Sequence, residues 1–122
     1  MKPTFRVIIA GSCSFGDYAR LQAVCDNLLA EKQKTHGIVI ISGTARGADT
    51  LGEQYAHERG YAIERFPADW RQYGKAAGPI RNRQMADNAD GLICFWNGQS
   101  PGARNMIQTA NKKGLKVRTI IV

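Results

Sequence analysis

A single doubly wound α/β domain, with an open, mainly parallel five-stranded sheet in the order 3-2-1-4-5 and helices on both faces, is the architecture this sequence predicts. Three observations predict it. Glycine-rich turns follow β-branched apolar runs three times: Gly11-Ser12 after Val7 to Ala10, Ser42 to Gly47 after Ile38 to Ile41, and Asn97 to Gly102 after Leu92 to Trp96. The runs near residues 5–10, 38–42, 91–96 and 117–122 are almost continuously apolar, as strands become when helices cover both sheet faces. Between them, apolar residues recur every three or four positions, the period of an amphipathic helix.

The first strand, 5–10, leads to a helical stripe of Leu21, Val24, Cys25, Leu28 and Leu29, with Asp17 as its N-cap and Gly37 closing the segment. Strand 38–42 passes through its turn into a second stripe, Ala48, Leu51, Gly52, Tyr55 and Ala56, which ends at Gly60. Ala62 to Pro67 mixes charged with apolar residues and ends in proline, the pattern of an edge strand. Residues 68–82 are too long and too rich in aromatic and basic side chains for a simple connection, so they read as a lid before a helix that takes Pro79 in its first turn. Strand 91–96 is followed by the stripe Met106, Ile107 and Ala110 up to Gly114, and 117–122 forms the last strand. The sum is five strands and four helices, with 117–122 counted among the central strands. Right-handed crossovers and a switch point beside the first strand set the order and place the turns after strands one, two and four side by side.

Composition narrows the function. At 122 residues, one domain with one ligand site is expected. The first strand begins too early to leave room for a signal peptide, and the apolar runs are too short for a bilayer, so a cytoplasmic protein with no membrane partner is expected. Cys13, Cys25 and Cys94 are odd in number and widely separated, which suggests neither zinc nor disulfides. Seventeen basic residues against ten acidic ones give a net charge of +7, favouring anionic partners. Lys32, Lys34, Lys112, Lys113 and Lys116 read as solvated surface, whereas Arg46, Lys75, Arg81, Arg83 and Arg104 fall in or beside the ligand-side turns. His36 and His57 read as surface residues.

In an open parallel sheet, ligands bind beyond the carboxyl ends of the strands, where glycines admit the backbone and helix N-termini offer unpaired N–H groups to anions. Gly11, Ser12 and Cys13 form the first such turn. Gly43 and Gly47 bracket the second, in which Thr44 and its neighbours cradle phosphate through backbone amides and Arg46 supplies charge. Asp49 would repel bound phosphate, so it either caps the loop or meets a ribose hydroxyl. In the lid, Trp70 and Tyr73 are candidates for stacking on a base or for packing the loop down, and Arg81 with Asn82 is placed at a helix start to reach phosphate or ribose. Lys75 and Pro79 complete that segment. Gly98, Ser100 and Gly102 form a third anion-binding turn, with Ser100 as hydroxyl donor, and Trp96 before it suits a pocket wall or the core.

With these residues in place, the chain resembles the SLOG superfamily of Rossmann-like nucleotide-binding domains, in particular its YspA-like branch. The resemblance rests on Ser42 to Asp49, on Phe66-Pro67-Ala68-Asp69-Trp70 with Tyr73 to Asn82, and on Phe95-Trp96 with Gly98, Ser100 and Gly102. It implies a cytoplasmic domain of bacterial or phage type that binds nucleotides or nucleotide-derived signals and commonly forms homo-oligomers, dimers or larger. Four positions depart from the branch: Cys13 stands for an arginine, Thr44 for a glycine, Asn97 for an aspartate and Ala103 for a threonine. The chain is similar more distantly to lysine-decarboxylase-like phosphoribohydrolases, but Met106 stands where their catalytic glutamate would be, and methionine is neither an anion nor a base. It is similar also to the Rossmann core of the DprA family, which binds single-stranded DNA, through Ser42-Gly43, Ala45-Arg46-Gly47 and Arg81-Asn82-Arg83.

The expectation is therefore a protein that binds a nucleotide or nucleotide-derived signal, as a sensor or sequestering protein. Arg46, Arg81 and the turns at Gly11, Gly43 and Gly98 would hold phosphate. Asn82, Asp69 and Ser100 would contact ribose or base, under Trp70. The alternative is a nucleotide N-glycosidase using Asp69 or Asp49, and the third reading is single-stranded nucleic-acid binding. No cofactor is required and no metal is implied by ligand spacing; magnesium stays open only as a companion of ligand phosphate.

Overall fold

The computed structural model describes residues 2–122. Five parallel strands, β1 (Thr4–Gly11), β2 (Gly37–Ser42), β3 (Ala62–Arg65), β4 (Gly91–Trp96) and β5 (Lys116–Ile121), form one sheet in the order β3-β2-β1-β4-β5. β1 lies at the centre, pairing Val7 with Ile40 of β2 and Ile9 with Ile93 of β4. The alternation of side chains along β1 divides the core into two layers. Phe5, Val7 and Ile9 face one layer, with Leu21, Cys25 and Leu29 of α1 (Tyr18–Leu29) and Tyr55 of α3 (Ala48–Arg59). Ile8 and Ala10 face the other, with Met85 of α5 (Ala77–Asp87) and Met106 and Ala110 of α6 (Pro101–Lys112). Because both faces are covered, the central strands need apolar residues at every position, which is why they read as unbroken runs.

Capping follows the sequence at several ends. The Asp17 carboxylate accepts from Arg20 N–H (3.1 Å), Gly60 ends α3 in the left-handed region, and Ala110 stays in the core until the chain turns at Gly114. Elsewhere the structure corrects the reading. The first helix stops at Leu29, a separate short helix α2 (Lys32–Thr35) follows, and Gly37 opens β2 instead of closing a helix, its N–H bonded to Pro3 O (2.9 Å). β5 is not a central strand but an edge: it pairs only with β4, and Ile121 is 60% exposed. Its apolar run misleads because an edge strand can still be partly covered on both faces: Val117 packs against the α6 layer, and Ile120 and Val122 pack against the α1 layer.

The segment expected to be a loop lid is mostly helical. After Pro67 the chain forms the short α4 (Trp70–Tyr73), one tight turn over Gly74–Ala76, and then α5. Asp69 caps α4 by accepting from Gln72 N–H (3.0 Å). Arg81 and Asn82 therefore sit in the second turn of α5, not at a helix start, and their side chains rather than their backbone face the sheet edge. With α2 and α4 added to the four long helices, the described residues form six α-helices. No helix among the described residues is long and apolar enough to cross a membrane.

The first turn is held to this frame by Phe15, which stacks on Phe95 of β4 with ring centroids 5.0 Å apart and planes at 12°. Both rings are buried. Phe15→Ala is expected to lower stability by about 3 kcal/mol, the usual loss for a buried phenyl ring and its cavity, measured as a reduced urea midpoint with an unchanged slope.

Candidate functional site

The carboxyl ends of β1, β2 and β4 meet at Ser12. Its N–H donates to Phe95 O (2.9 Å), its carbonyl accepts from Phe15 N–H (3.1 Å) and Ala48 N–H (3.4 Å), and its hydroxyl accepts from Asn97 N–H (3.0 Å). Ser12 is thus a buried junction of three turns, not a group left open to a ligand. The turn after β2 reaches it only because residue 47 is glycine: at φ +82°, a Cβ there would stand 2.4 Å from Ser12 O and 2.6 Å from Cys13 O. Gly43, next to it, must be bare for another reason. A Cβ at that position would lie 2.7 Å from the Asp49 carboxylate and 2.8 Å from Arg81 Nη1, which both approach the turn from beneath.

Asp49, in the first turn of α3, is 4% exposed. Its carboxylate accepts from Ala45 N–H (3.3 Å) and from the Gly11 N–H, so it orients the loops after β1 and β2. Burial pushes its pKa up to about 6, against the pull of the Ala45 amide and of the Arg81 guanidinium. Arg81 donates through Nη1 to Gly43 O, and through Nε to Asn82 Oδ1 (3.1 Å). Asn82, 5% exposed, passes its Nδ2 on to Asn105 Oδ1 (2.9 Å) and Gly102 O (3.4 Å) of α6. These four side chains clamp α3, α5 and α6 around one opening.

That opening is a cavity of about 490 Å³, within the range of sites for drug-sized ligands. Ala10, Met85, Ala103 and Met106 form an apolar floor, and Trp70 with Pro79 forms one wall. Trp70 is 59% exposed and overhangs Gly78. The polar rim consists of Arg81, Lys75, Asn82, Asn105 and Ser100, with Asp49 behind. Asn97 shapes the last side: its Oδ1 accepts from the N–H groups of Gln99 (2.9 Å) and Ser100 (2.8 Å), closing a turn that starts α6. Trp96 braces this turn through Nε1–H to Ser100 O (3.1 Å). The first bond inside α6 is Arg104 N–H to Ser100 O (3.1 Å), so the N–H groups of Gly102 and Ala103 are among those that helix geometry leaves unpaired.

Of the residues expected to bind ligand, Gly11, Cys13, Asp49, Trp70, Lys75 and Pro79 line this cavity, together with Arg81, Asn82, Ser100 and Gly102. Ser12, Gly43 and Gly47 lie behind the lining as supports. Thr44 and Arg46 are exposed on the outer side of their turn, Gly98 stands at a turn tip, and Asp69 is occupied as the cap of α4; none of these lines the cavity. Arg83 and Arg104 lie outside it as well, Arg104 over the Trp96 ring at 5.6 Å. Sequence reading missed Asn105, and it read Met106 as part of a helical stripe and as the place of an absent carboxylate, not as cavity lining. Their signal was available as helical spacing, three and four residues beyond Gly102 and at one face with it. Among the described residues no cluster of His, Cys, Asp and Glu is placed to hold a metal ion.

Two expected outcomes follow from these turns. Raising an acid's folded pKa means the folded state binds its proton more tightly, so Asp49 lowers stability progressively as pH climbs from about 4 through about 6. Asp49→Asn should gain on the wild type by about 3 kcal/mol between pH 4 and pH 7, read from urea unfolding at each pH. Thr44 holds φ +64°, a left-handed conformation in a β-branched residue. Thr44→Gly should raise stability by about 0.5–1 kcal/mol, since the roughly 1–2 kcal/mol of strain released exceeds the added chain entropy, seen as a higher melting temperature.

Comparison with known proteins agrees with the geometry. A family model described as the YspA, cpYpsA-related SLOG family matches residues 5–73. The Gene 61 protein of Mycobacterium phage D29 is 34% identical over 119 residues, covering 92% of this chain and 93% of that protein. Among solved structures, DNA processing protein A (DprA) from Streptococcus pneumoniae superposes with a TM-score of 0.72 at 21% identity over 97% of this chain, which spans 50% of the DprA chain. The protein TM1055 gives 0.62 at 22% identity, covering 96% of this chain and 72% of that one. The Moco carrier protein from Chlamydomonas reinhardtii gives 0.54 at 18%, covering 98% and 76%. At these identities the three structures share the fold.

Proposed function

Since the chain belongs to the YspA, cpYpsA-related SLOG family, we propose that it binds a nucleotide or nucleotide-derived signalling molecule in the cavity beyond β1, β2 and β4, as a sensor or sequestering protein. The observation that carries this reading is the division of the cavity into an apolar floor, with Met85 and Met106, and a rim of hydrogen-bond donors led by Arg81. A nucleotide is divided in the same way, into a flat base and an oxyanion. Arg81 and the first-turn N–H groups of α6 take the phosphate, aided by Lys75 and the Ser100 hydroxyl. The base lies on the methionines beneath Trp70, where thioether and indole both favour an aromatic ring.

Glycosidic hydrolysis has weaker support. Such chemistry needs a carboxylate free to act at the ribose. Met106 is a buried thioether, Asp69 faces Gln72 outside the cavity, and Asp49 is engaged by two backbone N–H groups and faces Arg81. Pairing of two copies belongs to the same proposal, because β5 leaves an open sheet edge with Ile121 exposed.

Thermal shift with mono-, di- and cyclic nucleotides, ADP-ribose derivatives and a single-stranded oligonucleotide tests the reading. A ligand at a hundredfold its Kd adds about 2.7 kcal/mol, a rise of several degrees. Arg81→Ala should weaken that nucleotide by about tenfold to a hundredfold, as expected for a charge-assisted bond. A response to the oligonucleotide alone would replace this reading with nucleic-acid binding, and release of free base would establish hydrolysis.

A further inference from the structure

The hydrogen bonds from α5 to α6 run in one direction. Arg81 Nε–H donates to Asn82 Oδ1, and a guanidinium has donors only, so the Asn82 amide can meet it only with oxygen. That turns Asn82 Nδ2 toward α6, where it donates to Asn105 Oδ1 and to the Gly102 carbonyl, itself an acceptor only. The Asn82 amide is therefore locked from both sides, in a nearly dry setting at 5% exposure. Asn105, whose oxygen is taken by Asn82, has the Nδ2–H2 donor left over, and it stands between this cavity and a surface groove lined by Arg83 and Gln108, in reach of a ligand from the cavity side.

From this relay we propose that Asn105 is a ligand-binding residue whose direction is set by Arg81 through Asn82, so that it donates to a hydrogen-bond acceptor of the bound molecule. The inference rests on the nucleotide reading and specifies it. The group at Asn105 is a phosphoryl oxygen, a carbonyl or an unprotonated ring nitrogen. An amino group at that point would set donor against donor, and a buried site of that kind rejects such a mismatch strongly. Asn82 is then a positioning residue: it fixes which end of the Asn105 amide the ligand meets.

Isothermal titration with AMP, GMP, CMP and UMP, with their di- and cyclic forms and with ADP-ribose derivatives identifies the best-bound nucleotide, and ribose 5-phosphate and the matching nucleoside then assign the acceptor to phosphate or to base. The titration is repeated on Asn105→Leu, similar in size and uncharged, and on Asn82→Asp, with melting temperature as the check on folding. Asn105→Leu is expected to bind about tenfold more weakly at a melting temperature near that of wild type. Asn82→Asp offers acceptors only, so the Asn105 amide turns its nitrogen to it and its oxygen to the ligand, and affinity falls although residue 105 is untouched. In the wild type, the Asn105 side-chain amide signals in nitrogen-15 spectra shift on adding the nucleotide. Equal affinity of wild type and Asn105→Leu, with unmoved amide signals, overturns the role of Asn105 and leaves nucleotide binding standing. A wild type that binds no member of the panel of mono-, di- and cyclic nucleotides and ADP-ribose derivatives overturns both. Should Asn105→Leu fail to fold, the wild-type amide signals decide.

Discussion

Ser12 joins three turns that come from three strands, and its N–H, carbonyl and hydroxyl are each engaged in doing so. Buried polar groups must be satisfied, so a junction of this kind holds the turns at one spacing and one relative angle. The turn after β4 is tied on through Asn97 N–H, and the start of α3 through Ala48 N–H. Gly47 lets the second turn come near enough, and the Phe15–Phe95 stack supports the first from below. The cavity has its shape because these loops cannot move independently.

Against that rigid edge the chain buries one carboxylate. Asp49 lowers stability when ionised, yet it accepts from the N–H groups of Ala45 and Gly11 and attracts the Arg81 guanidinium. Burial of a charge is tolerated when partners converge on it in this way. The result is electrostatic: among the described residues Asp49 is the one carboxylate lining the cavity, and it accepts from the loops, which leaves donors to face the opening. A net charge of +7 deepens the preference for an anion.

Four residues of the turns differ in where they act. Thr44 holds a left-handed conformation at a solvent-exposed turn, away from the cavity. Asn97 closes its turn through Oδ1. Cys13 and Ala103 line the cavity and bring to it neither a cation nor a hydroxyl. Two of the four thus shape the lining itself, and two shape only the loops behind it.

Apolar periodicity and glycine placement determined the strand order and the location of the ligand-side edge, because burial on both faces leaves a continuous hydrophobic record in β1, β2 and β4. Trp70, Arg81 and Asn82 were marked by a connection too long and too rich in aromatic and basic residues, and Ser100 by its place in a glycine-rich turn. The order itself puts β5 at an edge, but its composition pointed to the centre, since an apolar run reports that a face is covered and not how many neighbours a strand has. The helical character of residues 70–76 was hidden by glycine and aromatic residues that are weak helix formers. What only the tertiary structure decided is which polar atoms remain available. Ser12 and Asp69 looked like ligand contacts and are occupied by backbone, while Asn105, which no motif marked, lines the cavity. A sequence shows the donors and acceptors a chain owns, and folding determines which of them are already engaged.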